Sequence, residues 1–188
     1  PDIVAIDGKT SRRTHARSKG REPLHLVSAW ASRQRLVLGQ EAVADKSNEI
    51  VAIPLLLRRL ELRGALVTID AIGTQVEIAK TIVDGGGDYL FSLKDNWRAL
   101  RAEVETFFAD HANAAACQTF DTTDADHGRL EQRHHVVCHE VDWLVAERHF
   151  PKERLFPRMA MIAMVQTATE RAGKVERIEV PKPAHGDK

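Results

Sequence analysis

Cysteine is nearly absent from this 188-residue chain. Two cysteines, Cys117 and Cys138, are too few for a disulfide framework and suit a reducing compartment. An excess of charge is also lacking, since Lys plus Arg and Asp plus Glu stand at 27 each. Net charge therefore says nothing about a nucleic-acid partner, and only the placement of charge can. No apolar run reaches the roughly 18 residues that a spanning helix needs, so no membrane partner is expected and the location is read as cytoplasmic. An initiator Met and a signal-peptide pattern are missing too. The chain opens Pro1-Asp2-Ile3 and enters an apolar run at once, so it reads as part of a longer parent.

What is present is an ordinary globular composition, 43% apolar and 29% charged, enough for one core with a small subdomain. Ile3–Ile6, Leu24–Ala31, Leu36–Val43, Ala65–Ile69 and Tyr89–Leu93 read as strands, with a hairpin turn around Gln34. A helix follows the capping candidates Asp45–Asn48 and runs through Leu60, with Pro54 in its first turn or kinking it. A second helix places Val76, Ala79, Ile82 and Val83 on one face and stops at Gly85-Gly86-Gly87. A third spans about Asn96 to Ala109, with Leu100, Val104, Phe107 and Phe108 apolar. Beyond Ala112 the chain becomes β-rich: Gln118–Thr122, Arg133–His139, Met159–Thr167 and Val175–Val180 read as strands, the last pair turning at Arg171–Lys174. The expected organisation is a core over 1–112, a β-rich subdomain over 113–180 and a loose tail over 181–188.

Chemistry is concentrated in two aspartates at the ends of apolar strands, Asp7 after Ile3–Ile6 and Asp70 after Ala65–Ile69. Ligands of open α/β sheets bind beyond the carboxyl ends of strands. Two carboxylates brought together there need a cation, and Mg²⁺ accepts one or two carboxylates plus phosphate oxygens and water. The competing reading makes each Asp a turn residue. Element order favours the metal. Three strands, a helix, a fourth strand, a helix and a fifth strand is the RNase H-like order, which carries acids on its first and fourth strands.

Seven segments in order then carry a resemblance: Ala5–Thr10 (AIDGKT), Leu24–Trp30 (LHLVSAW), Leu38–Gln40 (LGQ), Lys46–Ile50 (KSNEI), Thr68–Ala71 (TIDA), Gly86–Tyr89 (GGDY) and His127–Glu131 (HGRLE). Over Val4–Trp143 the chain resembles insertion-sequence transposases of the ISAs group, which includes the H-repeat-associated proteins. The resemblance implies an α/β, RNase H-like mixed sheet flanked by helices, with a β-rich insertion or extension. It implies DNA cleavage and strand transfer with Mg²⁺, or Mn²⁺ in its place, by a DDE site to which Asp7 and Asp70 contribute. It also implies transposon-end and target DNA as partners, and a homodimer in a synaptic complex.

The third acid does not match. In the wider group it is a Glu following Arg and Trp on a late helix, and none of Trp30, Trp97 and Trp143 is followed by Ile-Glu. The third acid is therefore expected outside the chain, which is read as a fragment cut at both ends and inactive alone. Two residues within the chain compete for the role. Glu131 stands 61 residues after Asp70, where it could equally be an ion-pair partner of Arg129 or Arg133. Glu49 stands 21 residues before Asp70, near where ribonucleases H carry a helical Glu, and could equally be a dipole-matched surface residue.

From Gly8 to Arg21 there is no acid, while Lys9, Arg12, Arg13, Arg17, Lys19 and Arg21 supply cations beside Asp7. They are candidates for DNA phosphates, as are Lys94 and Asn96 after the fifth strand. The family has Lys-Gly-Asn-Gln there; this chain has Lys94-Asp95-Asn96-Trp97, adding an acid near phosphate. A zinc reading of His127, His134, His135, Cys138 and His139 is weakened by strand alternation, which sets His134 and Cys138 against His135 and His139. Rival functions are a stand-alone RNase H-like nuclease completed by Glu49 or Glu131, and an inactive remnant that binds DNA or protein.

Overall fold

The computed structural model describes residues 2–11, 24–43, 49–126, 129–144, 155–171 and 174–178. They fall into two compact units, Pro1–Asn96 with Leu155–Arg158, and Trp97–Arg154 with Met159–Lys188. The third helix groups with the second sheet, and a short later segment returns to the first unit.

The first unit is built on five strands: β1 (Asp2–Ser11), β2 (Leu24–Ala31), β3 (Leu36–Val43), β4 (Ala65–Ile69) and β5 (Asp88–Phe91). Their spatial order is β3-β2-β1-β4-β5. β1, β2 and β3 pair antiparallel, whereas β4 runs parallel to β1 and β5 parallel to β4. The parallel pairs need crossovers, which helices α1 (Glu49–Leu57) and α2 (Val76–Asp84) supply. Period-two burial defines the inner face. Val4 and Ile6, Val27 and Ala29, and Ala65, Val67 and Ile69 point one way into the core. Ala52, Ile53, Leu56 and Leu57 of α1 and Ile78 and Ile82 of α2 meet them there. Each large aliphatic side chain buried in this way contributes about 1.5–3 kcal/mol. On the opposite face Ile3, Trp30 and Leu90 remain exposed. At the far edge Tyr89 donates to the Pro157 carbonyl at 2.8 Å, and Phe91 meets Phe156 edge-on.

Within the first unit β1 departs furthest from the sequence reading. β1 does not stop at Asp7-Gly8: its ladder with β2 continues through Asp7↔Ser28, Gly8↔Val27, Lys9↔Leu26, Thr10↔His25 and Ser11↔Leu24. A sequence that spells a turn stays extended because β2 supplies partners for five more residues. The first helix starts at Glu49, directly after the capping candidates, so of the two positions read for Pro54 the interior one holds. Its ring leaves the Pro54 carbonyl available, and Arg58 donates to it at 3.1 Å.

The second unit contains α3 (Arg98–Ala109), a 3₁₀ turn (His111–Ala116) and an antiparallel sheet in the order β6-β7-β8-β9. Its strands are β6 (Cys117–Asp126), β7 (Arg129–Cys138), β8 (Ile162–Arg171) and β9 (Lys174–Ile178). Phe107 of α3 stacks on Trp143, with ring centroids 5.0 Å apart.

Candidate active site

The first unit brings Asp7 and Asp70 together by register. The last residue pair of the parallel β1/β4 ladder is Ile6↔Ile69, and each aspartate is the next residue on its strand. Ile6 and Ile69 are both buried, so alternation turns the two aspartates towards the opposite, open face. Asp70 keeps extended backbone angles as its chain leaves the strand, and its Oδ1 accepts the Ala71 amide at 2.6 Å. That bond caps the 3₁₀ turn Ala71–Gly73 and fixes the carboxylate's orientation.

Both carboxylates are open to solvent, 60% exposed at Asp7 and 69% at Asp70, and each has a lysine against it. Lys9 Nζ lies 3.3 Å from Asp7 and Lys94 Nζ 2.9 Å from Asp70. Asn96 donates its side-chain amide to the Ala71 carbonyl and ties the segment after β5 to the turn after β4. Lys94 and Asn96 thus meet the Asp70 turn, as the end of a neighbouring parallel strand allows. Arg12, Arg13, Arg17, Lys19 and Arg21 lie outside the described residues.

A cation site of this kind has carboxylate oxygens at its centre, and two exposed carboxylates leaving adjacent strands suit a hard, hydrated divalent ion that keeps several waters. The lysines already balance the negative charge at both positions. Among the described residues no group of three or more His, Cys, Asp or Glu side chains is placed to hold a metal ion.

The other two acids sit in different surroundings. Glu131, on β7 in the second unit, is almost buried and is held by Arg129 at 2.7 Å and by Arg133 on its other oxygen. Glu49 is buried on the inner face of the first sheet rather than lying on the surface. Its Oε1 is 2.9 Å from His25 Nε2, and His25 Nδ1 is 2.5 Å from Thr10 Oγ1. The Glu49 carboxylate also lies flat over Gly8, where any Cβ would overlap it. Thr10, His25 and Glu49 therefore form a polar chain behind the strand that carries Asp7, running from the exposed Thr10 hydroxyl to the buried His25–Glu49 pair. Sequence reasoning weighed Glu49 but missed His25. The available signal was His25's place in step with Val27 and Ala29, a polar residue on a core-facing alternation. His134 and His135 face opposite sides of the second sheet, His134 on Asp121 at 2.7 Å and His135 stacked on Phe120 at 4.3 Å.

Comparisons with known proteins identify the family. The Transposase DDE domain family matches residues 1–178. The chain is 40% identical over 174 residues to "Uncharacterized protein in dhlA 3'region" of Xanthobacter autotrophicus, covering 93% of this chain and 57% of that protein. It is 41% identical over 145 residues to "H repeat-associated putative transposase YhhI" of Escherichia coli, covering 77% of this chain and 38% of the relative. A further E. coli relative, "H repeat-associated putative transposase YbfD", is 39% identical over 77% of this chain and 57% of its own length. The chain spans 57% or less of each of these relatives. A solved piggyBac transposase synaptic complex with hairpin DNA aligns with 70% of this chain and 30% of its own, at 10% identity and a TM-score of 0.38. The match to the DDE domain over nearly the whole chain, with transposase relatives near 40% identity, places this chain among the DDE-family insertion-sequence transposases.

Proposed function

We propose that this chain is the RNase H-like catalytic core of an insertion-sequence transposase and that Asp7 and Asp70 together hold Mg²⁺, with Mn²⁺ able to substitute. The observation that carries the reading is the register of the two aspartates, one step beyond Ile6↔Ile69 on adjacent central strands. The strand order β3-β2-β1-β4-β5 supports the RNase H-like assignment. Bound there, the ion would supply transition-state charge stabilisation at a phosphodiester and help a water or 3′-hydroxyl to attack.

The chain's own residues prepare that chemistry. Ala71 N–H orients Asp70, and Asn96 holds the Ala71 turn in place. Lys9 and Lys94, which pair with the two aspartates, would exchange these carboxylates for DNA phosphate once the aspartates are engaged. The basic segment through Arg12, Arg13, Arg17, Lys19 and Arg21 would add a salt-dependent grip on transposon-end and target DNA. A cytoplasmic setting and a homodimeric synaptic complex belong to the same proposal.

The third carboxylate is proposed to lie outside these 188 residues. Glu49 is turned into the core and engaged by His25, and Glu131 is engaged by two arginines. The test is nicking and joining of transposon-end DNA in Mg²⁺ and in Mn²⁺, with cooperative unfolding shown on the same sample. The chain alone should give neither product. Cleavage lost in both Asp7→Ala and Glu131→Ala would place the third acid at Glu131. Cleavage lost instead in Glu49→Ala would favour a stand-alone nuclease. Cleavage indifferent to Asp7 and Asp70 would remove the site.

A further inference from the structure

The second unit holds a pair of thiols that the reaction above does not use. Cys117 is the first residue of β6 and Cys138 the last of β7, and they are directly opposed in the antiparallel register. Directly opposed residues of such a pair have Cα atoms about 4.5–5.5 Å apart, inside the range of about 4.4–6.8 Å that a disulfide spans. Both cysteines are free thiols. Cys138 is fully buried, with its thiol towards the Ala116 carbonyl at 3.8 Å. Cys117 is half-buried, its thiol donating to the Asn113 carbonyl at 3.3 Å.

Access and partner are thus divided between the two sulfurs. Cys117 lines a cavity of about 260 Å³ whose walls include Phe107, Phe108, His134 and Met164. A small solute entering there meets Cys117 first. Burial, and then the hydrogen bond and charge of Cys138, push the Cys117 thiol above its ordinary range. Little thiolate is therefore present near neutrality, and reaction should accelerate as pH rises.

We propose that Cys117 and Cys138 are a modification site for hydrogen peroxide, which converts them to a reversible cross-strand disulfide stapling β6 to β7. In the first step Cys117 sulfur attacks one peroxide oxygen. An S–O bond forms, the O–O bond breaks, and the second oxygen leaves as water carrying the thiol proton. In the second step Cys138 sulfur attacks the sulfenic sulfur of Cys117. The S–S bond forms, the S–O bond breaks, and hydroxide leaves as water with the Cys138 proton. Two thiols give up two electrons and two hydrogens, and one peroxide becomes two waters. A thiol reductant reverses the change. The closed loop spans about 20 residues, a length at which a bridge stabilises by constraining the unfolded chain.

The experiment treats the full chain with dilute hydrogen peroxide at pH 7 and pH 9, then measures intact mass, free thiols and a non-reduced peptide map. The expected product is monomeric, lighter by about two hydrogens, with both thiols consumed and the Cys117 and Cys138 peptides joined. It should form faster at pH 9, revert with dithiothreitol, and unfold at a temperature several degrees above that of the reduced chain. Cys117→Ser, changed at the half-buried position, should leave Cys138 as a free thiol under the same treatment. The proposal is overturned if Cys117 goes to sulfinic acid while Cys138 stays free, or if the bridges join separate chains. An oxidised form that melts below the reduced one would overturn the staple.

Discussion

At the scale of single residues, the buried pair His25–Glu49, reached from the exposed Thr10, shows how polar groups can fix a strand. A buried acceptor and donor stabilise only while both are present, and removing one strands the other. Glu49→Ala should therefore cost about 1–3 kcal/mol of unfolding free energy, read by urea denaturation, because His25 loses its partner at 2.9 Å. Wild-type stability in that variant would show that the contact is not maintained in solution. Gly8 is constrained from the same side. Gly8→Ala puts a methyl into the Glu49 carboxylate and should cost about 1–3 kcal/mol through overpacking. The double variant Gly8→Ala, Glu49→Ala should recover part of that loss, and strict additivity would refute the contact. The sequence offered His25's place on a core-facing alternation and Glu49 as a candidate acid, but not the contact between them. His25 and Glu49 are 24 residues apart, and no local pattern brings them together.

At the scale of elements, legibility followed the strength of the local pattern. β2, β3 and β4 lie where their apolar runs placed them, since each run is bounded by polar or turn residues. β1 outran its reading because Asp7-Gly8 carries a turn signal that a long ladder to β2 overrides. α1 starts directly after its capping candidates, with Glu49, Ala52 and Ile53 already facing inward. That inward stripe sets a prediction: Leu56→Ala should cost about 2–5 kcal/mol, whereas Leu55→Ala, on the exposed side, should fall within about 0.5 kcal/mol of wild type. Equal losses at the two positions would contradict the assigned face. The basic segment between β1 and β2 is tested by binding rather than stability. If three of its cations meet phosphate, log affinity for DNA should fall against log salt with a slope of roughly −2.7. Replacing Arg12, Arg13 and Arg17 with Ala should flatten that slope, and a salt-independent affinity would remove the segment from the account.

At the scale of the whole molecule, the family and the mixed α/β class were legible because ordered motifs and alternating strands and helices both survive in one sequence. α3 reads as the next helix of an α/β series, yet it belongs with the strands that follow it. The central claim is that Asp7 and Asp70, one step past Ile6↔Ile69, hold a divalent cation jointly. Titration of the full chain with Mn²⁺, followed by loss of the free-ion paramagnetic resonance signal, tests it without requiring turnover. The account predicts saturable binding that Mg²⁺ displaces, that Asp7→Asn and Asp70→Asn each weaken at least tenfold, and that Glu131→Gln leaves unchanged. Tenfold corresponds to about 1.4 kcal/mol of binding free energy, well within what a lost carboxylate ligand removes. Binding that survives both aspartate substitutions, or that disappears only with Glu131→Gln, would contradict it.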